Sequence, residues 1–123
     1  MTKTFITDKD GATIEASTAT VPSDRHFRNA WKLSGSVIAE DMTAAKVIFK
    51  DKIREVRKPL LEAQDVAYMK ALEDGDSSAQ TTAKNAKKAL RDAPAASAIT
   101  NADTVAKLKA AWDASTLGTS PYA

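Results

Sequence analysis

Apolar residues recur at steps of three and four through the middle of the chain: Met42, Ala45, Phe49, Ile53, Val56, Leu60, Ala63, Ala67 and Ala71. At 3.6 residues per turn these positions share one face, so the spacing predicts a long amphipathic helix. Asp41 precedes it as an N-cap, its carboxylate placed to accept the unpaired N–H groups of the first turn. Pro59 interrupts the pattern and predicts a kink or a break near Arg57 and Lys58, because proline removes a backbone donor and crowds the preceding turn. Glu73-Asp74-Gly75-Asp76 reads as a tight turn. Ser77 with Gln80 has capping-box spacing, and Ala79, Ala83, Ala86 and Leu90 form the seam of a return helix that stops by Pro94. The expectation is a kinked helical hairpin over residues 41–94, turning at 74–77.

The flanks read differently. Thr4-Phe5-Ile6-Thr7 and Ala12-Thr13-Ile14-Glu15 enclose Asp8-Lys9-Asp10-Gly11, which predicts a β-hairpin over Lys3 to Ala16. A second hairpin is expected from Ala30–Leu33 and Ser36–Ala39 around Ser34-Gly35, with a turn at Val21-Pro22-Ser23-Asp24 between the two. Residues 1–40 thus form a small β head. Beyond Pro94, Ala95 to Ser97 is a small-residue linker, and Thr100 or Asn101 caps a short helix carrying Val105, Leu108 and Trp112 on one side. The tail from Ser115 lacks periodicity and is expected to be mobile. The fold class is α+β, mainly α, with segments 1–40, 41–94 and 95–123.

Composition sharpens this picture. The 123 residues are 43% hydrophobic, but alanine supplies much of that and buries far less area than Val, Leu, Ile or Phe. The core is therefore thin for the length. Eighteen basic against sixteen acidic residues leave a net charge of +2, so no global field steers the chain toward nucleic acid. With no cysteine and one histidine, disulfides, thiolate chemistry and cysteine-based metal sites are excluded. Met1 to Thr20 holds no apolar run of signal-peptide length, and no stretch approaches the roughly 20 apolar residues of a membrane span. A soluble protein made in the cytoplasm, without cofactor or membrane insertion, is the expectation.

Candidate chemistry is sparse. His26 has only Asp24 as a local partner, and nothing else assembles a triad or a metal site, so no enzymatic activity is expected. The acidic turn at 73–76 lacks the ligand spacing of a calcium loop. Gly11, Gly35, Gly75 and Gly118 stand singly, without the pattern that cradles phosphates. Lys46, Lys50, Arg54 and Arg57 stack along one helix face; interleaved Asp51 and Glu55 favour an interface-flanking role over phosphate tracking. Aromatic and large aliphatic side chains left uncovered by a thin core serve as anchors for a partner. The contact candidates are Trp31, Phe49, Ile53, Val56, Leu60 and Trp112.

Three blocks carry a resemblance: Pro22-Ser23-Asp24-Arg25-His26-Phe27-Arg28-Asn29-Ala30-Trp31; Asp41-Met42-Thr43-Ala44-Ala45-Lys46 followed by Arg54 and Arg57; and Lys88-Ala89-Leu90-Arg91-Asp92-Ala93-Pro94. In these the chain resembles small tailed-bacteriophage proteins encoded with tail and tail-fibre genes; the last block is similar to the end of tail-assembly chaperone domains. The final helix and the Tyr122 tail depart from the chaperone pattern. The resemblance implies a structural component of a phage tail, at the tip, baseplate or fibre attachment, located in the virion. Its implied partners are other tail proteins and further copies of itself, a trimer or ring being favoured by tail symmetry. The alternative is a non-virion tail-fibre assembly chaperone. A third reading is a nucleic-acid-binding or regulatory protein using the Lys46 to Arg57 face.

Overall fold

The computed structural model describes residues 4–17 and 19–122. Lys3, where the first hairpin was expected to begin, and Ala123, the end of the tail, lie outside the described residues. The architecture is α+β and mainly α: two small antiparallel strand pairs followed by long helices.

Strands β1 (Phe5–Thr7) and β2 (Thr13–Glu15) pair with Ile6 opposite Ile14, as the β-branched residues around the Asp-Gly turn require. Strands β3 (Trp31–Ser34) and β4 (Val37–Glu40) pair with Ser34 opposite Val37. The loop is therefore Gly35-Ser36, one residue later than the expected Ser34-Gly35. Gly35 takes φ +62°, the left-handed geometry that a two-residue hairpin demands at its first position. Asp8 joins the two pairs. Its buried carboxylate accepts from the N–H groups of Asp10 and Ala12 at 2.9 Å and from Leu33 N–H at 2.8 Å, and these bonds hold its pKa below the usual carboxylate value.

Helix α1 (Met42–Glu73) begins at Asp41, whose carboxylate accepts from Thr43 and Ala44 N–H, as expected. It runs unbroken through Pro59, so of the anticipated kink or break near Arg57 and Lys58 the break is absent. The setting is local: Pro59 and Glu55, whose carbonyl loses its donor, are both exposed residues, so the lost bond falls on the solvent side where its cost is small. At the far end Gly75 adopts φ +65°, its N–H donating to Leu72 C=O while Asp76 N–H donates to Ala71 C=O. This double bond pattern closes a helix through a left-handed residue and reverses the chain. Helix α2 (Ser77–Asp92) is capped by Asp76, which accepts from Ala79 N–H at 2.9 Å, rather than by the expected Ser77 box. With the cap one residue earlier, Gln80 reaches back to Ala71 C=O instead.

The stretch expected as a linker is folded. A 3-10 turn (Ala93–Ala95) and helix α3 (Ser97–Thr100) bury Pro94 and Ile99. Helix α4 (Val105–Ala110) is capped by Thr104, not Thr100 or Asn101, and Trp112 follows it in a turn. Val105, Leu108 and Trp112 are nevertheless all buried, as their spacing indicates. Helix α5 (Ala114–Leu117) is capped by Asp113, and the tail then returns to the core.

One core draws on the loop before β3 and on every helix from α1 to α5: Phe27 and Ala30 from that loop, Ala45, Phe49 and Ile53 from α1, Leu90 from α2, and Ile99, Leu108, Trp112 and Leu117 from the C-terminal third. It gathers at the first half of α1. Along the second half of that helix the core contacts end with Leu60 and Leu61.

Candidate functional site

The six contact candidates separate into two groups. Trp31, Phe49 and Ile53 are at most 1% exposed and Trp112 is 7% exposed, so these four are core and not available to a partner. Val56 and Leu60 are half-buried and pack against the same cluster. The correction has a simple cause: the N-terminal loop and the C-terminal third, which periodicity within α1 cannot reveal, converge on its first half. Phe49 lies at the centre, with ring centroids 6.4 Å from Phe27, 5.8 Å from Trp112 and 5.5 Å from Tyr122.

Farther out the seam loses its cover. Ala63 and Ala67 are exposed, Ala67 lining an open hollow with Ala79, Thr82 and Ala83 of α2, while Gln64 and Tyr68 are half-buried and Ala71 is buried. Between Pro59 and Leu90 the buried residues are Ala71, Ala83 and Leu90. On the outward side of α1, Val66 is 68% exposed, Met69 55% and Leu72 51%, with Asp65, Lys70 and Glu73 around them. Large apolar side chains grouped on a solvent face mark an interaction surface more than scattered ones do. Their spacing of three, 66, 69 and 72, is legible in the sequence, but it competes there with the longer alanine seam.

The basic face is likewise divided. Lys46 donates to Thr100 C=O at 2.8 Å and pins α3; Arg57 donates to Arg91 C=O at 3.1 Å and to Leu90 C=O at 3.4 Å, covering the last carbonyls of α2. Arg54 pairs with Asp51 at 2.9 Å. Lys50 has no ion pair among the described residues. Helix α2 adds Lys84, Lys87 and Arg91 on the same flank, a stripe at steps of three and four that sequence reasoning passed over. Lys87 bridges to Asp65 on α1 at 2.6 Å and lies over the Tyr68 ring.

His26 and Asp24 do meet, Nδ1 to Oδ1 at 2.8 Å. The other Asp24 oxygen accepts from Lys109 at 2.6 Å, which ties the loop before β3 to α4. The Lys109 ammonium, followed by the His26 backbone N–H, lowers the Asp24 pKa from 3.8 to about 2. A depressed carboxylate stabilises the fold fully above its unfolded pKa and loses that contribution as pH falls through the folded one. Asp24→Asn is therefore expected to cost about 1–2 kcal/mol at pH 6, a discounted figure for a partly exposed pair, with the deficit closing between pH 4 and pH 2. Urea midpoints of both proteins across that range provide the check; a deficit independent of pH would remove the ion pair from the explanation.

No helix of the described residues is long and apolar enough to cross a membrane. Among the described residues no group of three or more His, Cys, Asp or Glu could hold a metal ion. Comparison with protein-family models, curated proteins and solved structures finds no match to this chain.

Proposed function

We propose that this protein is a structural component of a bacteriophage tail, built into the tip, baseplate or fibre attachment by protein–protein contacts made through the distal half of its helical hairpin. The observation that carries this reading is the contrast along α1. One side of its first half, Ala45, Phe49 and Ile53, is buried in an aromatic core and only Val47 among its large apolar side chains is exposed, while its second half buries Ala71 alone and presents Val66, Met69 and Leu72 to solvent. Ordering a residue costs about 1–2 kcal/mol, and buried alanines return little of that. A hairpin built this way gains its remaining order from a surface it lies against. The phage assignment itself draws on the three sequence blocks that resemble tail proteins, and copies of the chain arranged as a trimer or ring agree with tail symmetry.

Quantitative mass spectrometry of purified phage particles tests the assignment. Stoichiometric presence, in a multiple of the tail symmetry, is expected; absence from the particle overturns the virion role and transfers the same surface to a tail-fibre assembly chaperone. The surface is tested separately by Val66→Asp with Met69→Asp. Exposed substitutions of this kind change monomer stability by only about 0.5 kcal/mol, so light scattering should show the oligomer reduced to monomers while the helical circular dichroism persists. An oligomer indifferent to both substitutions would place its interface elsewhere.

A further inference from the structure

Two hollows lie on the flank where α1 and α2 meet. One, of about 300 Å³, is lined by Lys50, Arg54, Arg57, Arg91, Pro94 and Ala95; the other, of about 240 Å³, by Tyr68, Lys84, Lys87 and Arg91. Arg91 lines both, so the two hollows adjoin and make up one cationic trough along the flank, whose α1 lining runs from Lys50 to Tyr68, roughly 27 Å at 1.5 Å per residue, with Arg91 between them. Six cations line it. Two are answered by carboxylates, Arg54 by Asp51 and Lys87 by Asp65, which leaves 6 − 2 = 4 positive charges in a molecule whose total is only +2. Lys50, Lys84 and Arg91 have no ion pair among the described residues.

We propose that this trough binds an acidic segment of a partner protein. The inference rests on the assembly reading only in taking the partner to be a protein, and it names a surface separate from the Val66, Met69 and Leu72 face. Three features select carboxylates over a nucleic-acid backbone. Asp51 and Asp65 are set among the cations, which opposes a ligand charged at every repeat but suits side chains that can be spaced around them. Among the described residues the only aromatic ring lining the trough, Tyr68, has the Lys87 ammonium 5.8 Å from its centroid, so it offers no open platform for a base. The ion pairs already present are surface pairs, weak enough to exchange for a partner's carboxylates, and the Arg54 and Arg91 guanidiniums can grip such groups with two hydrogen bonds.

Poly-L-glutamate and a dT oligonucleotide of equal charge serve as probes in titrations at about 50 mM salt, where screening is modest. The expected result is tighter binding of poly-L-glutamate, weakened about tenfold by Lys50→Glu with Arg91→Glu and about threefold or less by Lys32→Glu with Lys107→Glu, a pair of equal charge outside both surfaces. Tighter binding of the oligonucleotide, no binding of either probe, or equal losses in the two double variants would each overturn the proposal. Light scattering on the same proteins keeps the two surfaces apart: failure here leaves the oligomer intact, and failure of the apolar face leaves this titration unchanged.

Discussion

Phe49→Ala is expected to destabilise the protein by about 3–5 kcal/mol, the range for emptying a fully buried aromatic site. Phe49 is completely buried, and three rings meet it: Phe27 from the loop before β3, Trp112 from the turn after α4, and Tyr122 from the tail. Removing it opens a cavity between segments distant in sequence, and a helix, a loop and a tail that pack through one ring have little capacity to collapse around its absence. Small domains are stable by about 5–15 kcal/mol, so the variant is brought close to unfolding at room temperature. Phe49→Leu keeps most of the volume and should cost about 1.5 kcal/mol or less beyond the lost ring contacts. Urea unfolding followed by the fluorescence of the two buried tryptophans, Trp31 and Trp112, measures both. Were Phe49 an anchor for a partner, the alanine variant would keep its urea midpoint and lose only association.

That contrast shows what the chain makes legible. Periodicity located α1 and its Asp41 cap, the Gly75 reversal, α2, and both hairpins within a residue, because each of these is fixed by neighbours a few positions apart. It could not say what lies against the α1 seam. The same spacing of Phe49, Ile53 and Ala63 suits a partner's surface or the chain's own core; the choice is made by residues 27, 99, 108, 112 and 122, far away in sequence. Pro59 illustrates the reverse case: its local rule left a kink and a break open, and the helix continues through it with Glu55 and Pro59 both exposed, so the break is excluded. The cationic trough was half visible. Lys50, Arg54 and Arg57 share a helix face, but only the antiparallel return of α2 brings Arg91, Lys84 and Lys87 beside them.

Tyr122 gives the second large effect, from a segment whose sequence promises none. Gly118, Ser120 and Pro121 suggest a loose end. Asp113 nevertheless caps α5 through Ser115 and Thr116, and the Trp112 indole donates to Gly118 C=O at 3.0 Å, so the chain is turned back toward α1. The Tyr122 ring then stacks on Phe27 and Phe49 at 5.0 and 5.5 Å, and meets Trp112 and His26 edge-on at 6.1 and 5.5 Å. Tyr122→Ala should cost about 2–3 kcal/mol, less than Phe49→Ala because the ring is only half-buried. Tyr122→Phe should stay within about 0.5 kcal/mol at neutral pH, since it preserves the ring contacts. Burial, then the Glu55 charge, raises the phenol pKa above its ordinary value of 10.0. A raised folded pKa leaves stability intact below pH 10 and erodes it as the pH climbs toward the folded value, so Tyr122→Phe should overtake the wild type in strong alkali. Thermal or urea midpoints at pH 7 and pH 11 read out both substitutions; an alanine variant as stable as wild type at pH 7 would mean that the tail contributes nothing to the core.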